Sequence, residues 1–394
     1  MRVLSVGNMY PPHHLGGYEL LWRSAMVHLR AEGHVARVLT TDFRTDTTEA
    51  DEPDTFRELR WYWRDHGWPQ VGWRERISLE RHNAAVLDRH LDELRPDVIG
   101  WWAMGGMSLG MIERVRRAGI PAVAVVIDDW LLYAPRMDRW TSAFRSRPRA
   151  AAIAGVLTGL PARVDLERAG RYLLVSETVR TRARQAGFTL AGSMIARAGV
   201  EPAYVDPRPE RPWGWRLLYV GRIDERKGVR DTVAALAALP GKATLTIAGG
   251  GDDQELERLR RSARELEVED RVRILGMVTR AELPEVYAAA DVVLFPVHWE
   301  EPWGLVPLEA MGLGRPVIAT GRGGSGEYLR DGENSLLVPV GDAAAIAAGV
   351  TRLAESPSLR AGLRAGGLET TRRYTEAAFN TAVLDALAVA CRNR

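Results

Sequence analysis

The chain holds a single cysteine, Cys391, among its 394 residues. One thiol cannot close an internal disulfide, nor can it supply the several cysteines of a typical structural zinc site. Such scarcity suits a reducing compartment, and the expectation is a cytoplasmic protein. Lysine is almost missing as well. Of 53 basic residues only Lys227 and Lys242 are lysine, so each invites a reason. No charge of one sign dominates: the net charge of +2 gives the whole molecule no electrostatic footprint for nucleic acid. No apolar run reaches the roughly 18 residues of a membrane span. The opening run, residues 2–7, is strand-like and too short for a signal-peptide core. There is no sequence repeat between the two halves. What remains is a chain of ordinary globular composition, 46% hydrophobic and 26% charged, long enough for about two domains with a core each.

The stretch that organises the chain is 297–327. Ahead of it, Asp291-Val292-Val293-Leu294-Phe295-Pro296 reads as a buried strand stopped by proline. Pro307 suits the first turn of a helix, where its missing N–H has no intrahelical partner to lose. A strand, a loop and a helix starting near 305–307 follow. Glu301 then lies in the loop and Glu309 in the first helical turn. The free amides of Gly304, Leu305 and Val306 form a site for anionic oxygen. In an open α/β sheet, that strand edge is where ligands bind. The alternative is ordinary: a helix-start carboxylate and a solvated loop acid.

Two glutamates separated by seven residues, Glu301 and Glu309, enclose Pro302-Trp303-Gly304-Leu305-Val306-Pro307-Leu308. Together with the later Gly323-Gly324-Ser325-Gly326-Glu327, this resembles the signature of the retaining glycosyltransferases of family 4. The resemblance implies an α/β chain with the GT-B fold, two doubly wound Rossmann-like domains facing each other across a cleft. It divides the chain into an acceptor domain over 1–200, a linker over 201–215, a donor domain over 216–374, and a last helix within 375–394 that crosses back to the first domain. The linker reading also rests on its four prolines and lack of periodicity.

In the first half, Gly16-Gly17 at a helix start resembles the family's loop facing the donor diphosphate; a plain strand-to-helix turn is the alternative. Residues 41–73 are acidic and then aromatic, with Trp61, Tyr62, Trp63, Trp68 and Trp73, and read as a long loop. That loop either stacks on an acceptor or forms a local hydrophobic lid. The apolar strand 121–127 ends at Asp128-Asp129-Trp130. Asp128 stands where the family commonly has histidine near the donor sugar. Asp128 and Asp129 are read as acceptor contacts, a base or caps, and Trp130 as an acceptor contact. Residues 136–149 carry five arginines against Asp138, and an apolar stretch follows. A solvated basic face comes first among the readings; a surface for anionic lipid and a lid over an anionic acceptor stand beside it.

In the second half, six apolar runs alternate with helical ones, which argues for a parallel sheet covered on both faces. After the first comes Gly221-Arg222-Ile223-Asp224-Glu225-Arg226-Lys227-Gly228. This resembles the family segment whose Arg and Lys hold the donor's diphosphate. A guanidinium binds phosphate oxygens through parallel hydrogen bonds and an ammonium adds a compact charge, so the two can carry the leaving group's developing charge. Gly249-Gly250-Gly251 is not the dinucleotide fingerprint, and a dehydrogenase gains no support.

The resemblance implies transfer from a nucleotide-diphosphate sugar to a hydroxyl acceptor by front-face displacement, with no metal and no cofactor besides the donor. Glu309 would bind the ribose, Glu301 the transferring sugar, and Gly304, Leu305 and Val306 the diphosphate with Arg222 and Lys227. Val278 would meet the base through its backbone. The acceptor, whether small molecule, glycan or lipid, stays open, as does peripheral membrane contact. A GT-B phosphorylase or nucleotide-sugar epimerase, and a non-catalytic sugar-nucleotide binder, are the rival readings.

Overall fold

The structure, a computed structural model, describes residues 1–64 and 67–392. Asp65 and His66, inside the loop read over 41–73, lie outside the described residues, as do the last two. The chain forms two compact units, Met1–Arg197 with Phe379–Arg394, and Ala198–Ala378.

The first unit runs β1 (Arg2–Val6), α1 (Gly17–Ala31), β2 (Val35–Thr41), β3 (Thr55–Leu59), α2 (Trp73–Leu94), β4 (Val98–Trp101), α3 (Gly110–Arg117), β5 (Ala122–Val126), α4 (Trp130–Met137), α5 (Pro148–Thr158), β6 (Arg171–Leu174), α6 (Glu177–Gln185) and β7 (Met194–Ile195). Its sheet has the order β3-β2-β1-β4-β5-β6-β7. All its pairings are parallel, for instance Val6 with Leu39 on one side and Trp101 on the other. Every residue of β4 and β5 is buried, which explains why these strands read as unbroken apolar runs.

The second unit runs β8 (Arg216–Val220), α7 (Val229–Ala237), β9 (Thr244–Ala248), α8 (Asp253–Glu265), β10 (Val272–Gly276), α9 (Leu283–Ala289), β11 (Val292–Phe295), α10 (Leu305–Gly312), β12 (Val317–Ala319), β13 (Leu336–Leu337), α11 (Ala343–Glu355) and α12 (Pro357–Arg373). Its sheet order is β10-β9-β8-β11-β12-β13, again parallel throughout. Leu217, Leu245, Ile247, Val292 and Leu294 from the sheet meet Val233, Leu236, Leu259, Val350 and Leu353 from the helices in one core. Each such side chain contributes about 1.5–3 kcal/mol on burial. The final helix α13 (Glu376–Arg392) joins the first unit, where Asn380 Nδ2 donates to Ser24 Oγ at 2.7 Å.

Both sheets reverse direction of growth beside their first strand, between β1 and β4 and between β8 and β11. The crevice at the carboxyl ends of those strands is the natural ligand position in such a sheet.

Three local expectations change. The stretch 41–73 is not all loop: β3 lies within it and pairs with β2, Val38 opposite Thr55. Its half-buried edge position and its charged Arg57 and Glu58 hide the strand from an apolar pattern. Glu309 falls one turn inside α10, since the helix starts at Leu305. The segment 201–215 is tied to the second unit: Arg208 N–H donates to the Leu313 carbonyl at 3.2 Å and Arg315 to the Pro209 carbonyl at 3.0 Å.

Candidate donor-binding site

In the second unit, the loops after β8 and β11 are stitched together through glycine. Gly228 has φ +69°, and an added Cβ would lie 2.0 Å from the Pro296 carbonyl oxygen. His298 N–H donates to the Arg226 carbonyl at 2.8 Å. This close approach carries Lys227 to Glu301, with Nζ 2.7 Å from Oε2. Trp299 Nε1 donates to the same oxygen at 2.7 Å. The Trp299 ring lies beneath both cations, 5.3 Å from Lys227 Nζ and 4.9 Å from the Arg226 guanidinium carbon. Glu301 is thereby held in one orientation and largely buried, at 9% exposure.

Arg222 differs from Lys227 in being open. Its side chain is 57% exposed, and its nearest carboxylate, Asp224, is 3.6 Å away. Asp224 also pairs with Arg226 at 2.8 Å. Burial raises the Asp224 pKa, but hydrogen bonding and charge from Arg226, with the charge of Arg222, outweigh it and leave the carboxyl below its usual range. Asp224 so holds the loop and leaves the Arg222 guanidinium reaching outward.

At the start of α10, Gly304 takes φ +86°, where a side chain is strained, and an added Cβ would lie 3.1 Å from the Phe295 ring. Its carbonyl accepts from the Tyr328 hydroxyl, and Trp303 is anchored by a 2.8 Å bond from Nε1 to the Ala198 carbonyl. The glycine segment clamps the loop from the other side. Gly324 N–H donates to the Glu301 carbonyl at 2.6 Å. A Cβ on Gly323 would lie 2.3 Å from that same oxygen. The first amides of α10 are consequently held at the β11 edge, where an anion gains from them and from the helix dipole.

Glu309 is 3% exposed, and both its oxygens are engaged. Arg280 Nη1 donates to Oε1 and the Tyr287 hydroxyl to Oε2, each at 2.7 Å. Arg280 also bonds Glu201 at 2.6 Å and lies 4.4 Å from the centre of the Tyr204 ring. A carboxylate keeps further lone pairs on each oxygen, so both oxygens retain acceptor capacity beyond these two bonds. Val278 is half-buried two residues beyond β10. Arg280, Tyr287 and Trp299 were not among the expected site residues. Only Trp299, two positions before Glu301, carried a signal in its neighbourhood.

The first unit receives the remaining expected residues. Gly16 and Gly17 are exposed at the start of α1, but the Gly16 N–H donates to Glu19 Oε2 at 3.1 Å, so that amide already has a carboxylate. Gly16 has φ −160°, an extended conformation open to any residue. Asp128 follows β5 and accepts from Trp130 N–H at 2.9 Å and from the Tyr133 hydroxyl. Burial pushes its pKa up to about 6, against the Tyr133 bond. Asp129 pairs with Arg182 at 2.6 Å; burial raises its pKa, with the arginine opposing. Trp130 is a correction. It is fully buried, with its indole N–H aimed at the Val125 carbonyl, and its ring belongs to the core rather than to an acceptor. An apolar residue starting a helix beneath a strand end has the core as its nearest dry surface.

Beyond β2 and β3, a cavity of about 540 Å³ is lined by Asp42, Phe43, Arg44, Arg60, Trp61, Trp63 and Arg64. Phe43, Trp61 and Trp63 form one aromatic wall, with Trp61 and Trp63 centred 4.9 Å apart. Among the described residues no group of three or more His, Cys, Asp or Glu side chains is placed to hold a metal ion.

Two doubly wound parallel sheets of these strand orders have the architecture of the GT-B fold. Residues 208–370 match the family model described as glycosyl transferases group 1. A glycogen synthase of Mycobacterium tuberculosis (strain H37Rv) is 28% identical over 392 residues, covering 91% of this chain and 87% of that protein. A phosphatidyl-myo-inositol mannosyltransferase of Mycobacterium leprae is 39% identical over 168 residues, 41% of this chain and 43% of that protein. Among solved structures, Anabaena HepE in complex with UDP and glucose superposes with a TM-score of 0.74 at 20% identity, covering 98% of this chain and 99% of that one. These matches support a glycosyltransferase of the GT-B class.

Proposed function

We propose that the protein is a retaining glycosyltransferase of family 4 that transfers a sugar from a nucleotide diphosphate to a hydroxyl acceptor without a metal. The observation that carries this reading is the Lys227–Glu301 pair at 2.7 Å, beside the open Arg222 and the amides that begin α10. A departing diphosphate gains negative charge as the glycosidic bond breaks. Arg222, Lys227 and the amides of Leu305 and Val306 supply fixed positive charge where that happens. Binding of the diphosphate draws on Lys227, and Glu301 is then free to accept from hydroxyls of the transferring sugar while Trp299 keeps it oriented. Glu309, held in place by Arg280 and Tyr287, accepts from the ribose hydroxyls. The leaving phosphate takes the acceptor's proton on the same face from which it departs, and configuration is retained.

The HepE complex holds UDP and glucose, and the mycobacterial relatives are named as a glycogen synthase and a phosphatidyl-myo-inositol mannosyltransferase. A hexosyl donor is the reading these names favour. The aromatic wall of Phe43, Trp61 and Trp63 beyond β2 and β3 offers a stacking surface for an acceptor sugar.

The test is a thermal-shift screen against UDP, GDP, ADP and dTDP, alone and with their common sugars, followed by proton NMR of the product formed in EDTA. A ligand that binds only the folded state raises its stability. Stabilisation by one nucleotide and an anomeric coupling equal to that of the donor are expected. An inverted product, or transfer that stops in EDTA and returns with a divalent cation, overturns the corresponding part of the reading.

A further inference from the structure

Helix α5, Pro148–Thr158, has an outer face unlike the rest of its unit. Val156 is 86% exposed, Leu157 77% and Ile153 60%, and their spacing of three and four residues puts them on one side of the helix. The inner side is made of alanines. Ala151 is buried, and Ala150 and Ala154 pack against Trp140, Phe144, Leu160 and Ala162. Trp140 and Phe144 thus form the floor of the helix, while its branched aliphatic side chains point away. Trp73, 54% exposed, adds its ring to the edge of this floor 5.7 Å from Phe144.

Along the segment that carries this face the charge has one sign. From 139 to 164 there are five arginines and no Asp or Glu. Arg145, Arg147, Arg149 and Arg163 are exposed, and among the described residues nothing pairs with their guanidinium groups. Elsewhere this chain commonly matches surface arginines with carboxylates, as in Arg37–Glu93 and Arg114–Asp88. An apolar helix face bordered by unpaired cations, with an exposed tryptophan at its edge, has the composition of a surface that lies in a headgroup layer. A solvated basic face does not require three large aliphatic side chains in water.

We propose that α5 and its flanking arginines dock the protein on an anionic lipid bilayer, Ile153, Val156 and Leu157 entering the headgroup boundary and Arg145, Arg147, Arg149 and Arg163 meeting the lipid phosphates. The two contributions are separable. An arginine near an anionic membrane is worth roughly a five-fold factor in partitioning, and this part is screened by salt. The aliphatic part is not screened. The docking inference stands on this face alone and does not depend on the transferase reading.

The experiment is co-sedimentation of the full chain with vesicles of phosphatidylcholine containing 30 mol% phosphatidylglycerol, and with phosphatidylcholine alone. Expected are binding to the anionic vesicles that weakens at 0.5 M salt, and little binding to the neutral ones. Val156→Glu/Leu157→Glu is expected to weaken binding at least ten-fold, and Arg145→Ala/Arg147→Ala/Arg149→Ala about as much with a flatter salt dependence. Both variants alter exposed side chains, and an unchanged melting temperature verifies their fold. No binding to anionic vesicles overturns the proposal, as does equal binding to neutral ones or undiminished binding of the Val156→Glu/Leu157→Glu variant. Sedimentation velocity supplies the remaining arm. A concentration-dependent dimer that Val156→Glu dissolves, without vesicle binding, assigns the face to a second copy of the chain and overturns the lipid assignment.

Discussion

Lys227 Nζ lies 2.7 Å from Glu301 Oε2, joining a residue just beyond β8 to one just beyond β11 across 74 positions of sequence. The pair is shielded, with the two side chains only 16% and 11% exposed. Each is the other's partner in the free protein, and each is assigned to a different part of the donor. Lys227→Ala and Glu301→Ala should each lower kcat/KM by about 10²–10³-fold, the size seen when one preorganised charge-stabilising group is removed. Because the two groups share one contact, the double variant should lose less than the product of the single losses. Full activity in either single variant ends that residue's assignment. Steady-state kinetics, with circular dichroism to verify folding, decides it.

Trp299 orients Glu301 without being assigned to the substrate. Trp299→Phe keeps a ring beneath Lys227 and Arg226 but deletes the 2.7 Å indole bond to Glu301. A hydrogen bond to a charged group is worth about 1.5–3 kcal/mol, so turnover should fall by roughly ten-fold or more. A fall in kcat with an unchanged nucleotide dissociation constant fits a positioning role. A weaker nucleotide constant alone contradicts it.

The glycines separate into those that the site requires and those that it does not. Gly323→Ala drives a Cβ to 2.3 Å from the Glu301 carbonyl at φ +67°. Loss of about 2 kcal/mol or more in urea unfolding and of nucleotide binding is expected from strain at such a position. Gly16→Ala meets only a Glu19 oxygen at 3.6 Å in an extended conformation, and unfolding should change by less than about 1 kcal/mol. Equal effects from both substitutions would contradict the geometry.

Glu309 depends on its two partners unequally. Arg280→Ala leaves a 3% exposed carboxylate without its cation, which costs on the order of 3–5 kcal/mol. Tyr287→Phe removes one neutral donor from the same group, at about 1–3 kcal/mol. Chemical denaturation of both variants should preserve this order. The reverse order would show that the ion pair contributes little.

Asp128 gives a pH dependence of definite sign. Its pKa rises from an ordinary 3.8 to about 6 in the folded protein. The native state therefore binds more protons than the unfolded state between about pH 4 and 6, and stability falls as the pH rises through that window. Asp128→Asn should flatten this slope and raise stability at pH 7 by on the order of 1–3 kcal/mol. Melting temperatures of the two proteins from pH 4 to 8 test it, and parallel curves would exclude Asp128 as the titrating group.

What could be read from the sequence was mostly local. Pro296, Gly304 and Pro307 announce a strand end and a helix start without help from elsewhere in the chain. The spacing of Glu301 and Glu309 survives as a strand-edge carboxylate and a helical one. Contacts made by distant segments were not legible. Nothing in Thr279-Arg280 indicates that the guanidinium will reach Glu309, 29 positions onward. Nothing in Asp128-Asp129-Trp130 distinguishes an indole facing a ligand from one turned into the core. The strand β3 was missed for a related reason: an edge strand needs only one partner and one half-dry face, so it tolerates the charges that erase its pattern.

The scarcity of lysine has a practical result. Of the two primary amines on side chains, Lys242 projects near the Trp215 ring, and Lys227 is held against Glu301. Amine-selective labelling followed by peptide mass analysis therefore has only these two side-chain addresses to compare. Under the proposed function, the modification ratio of Lys227 to Lys242 becomes an internal gauge of donor occupancy, read from the native protein with no substitution and no attached reporter.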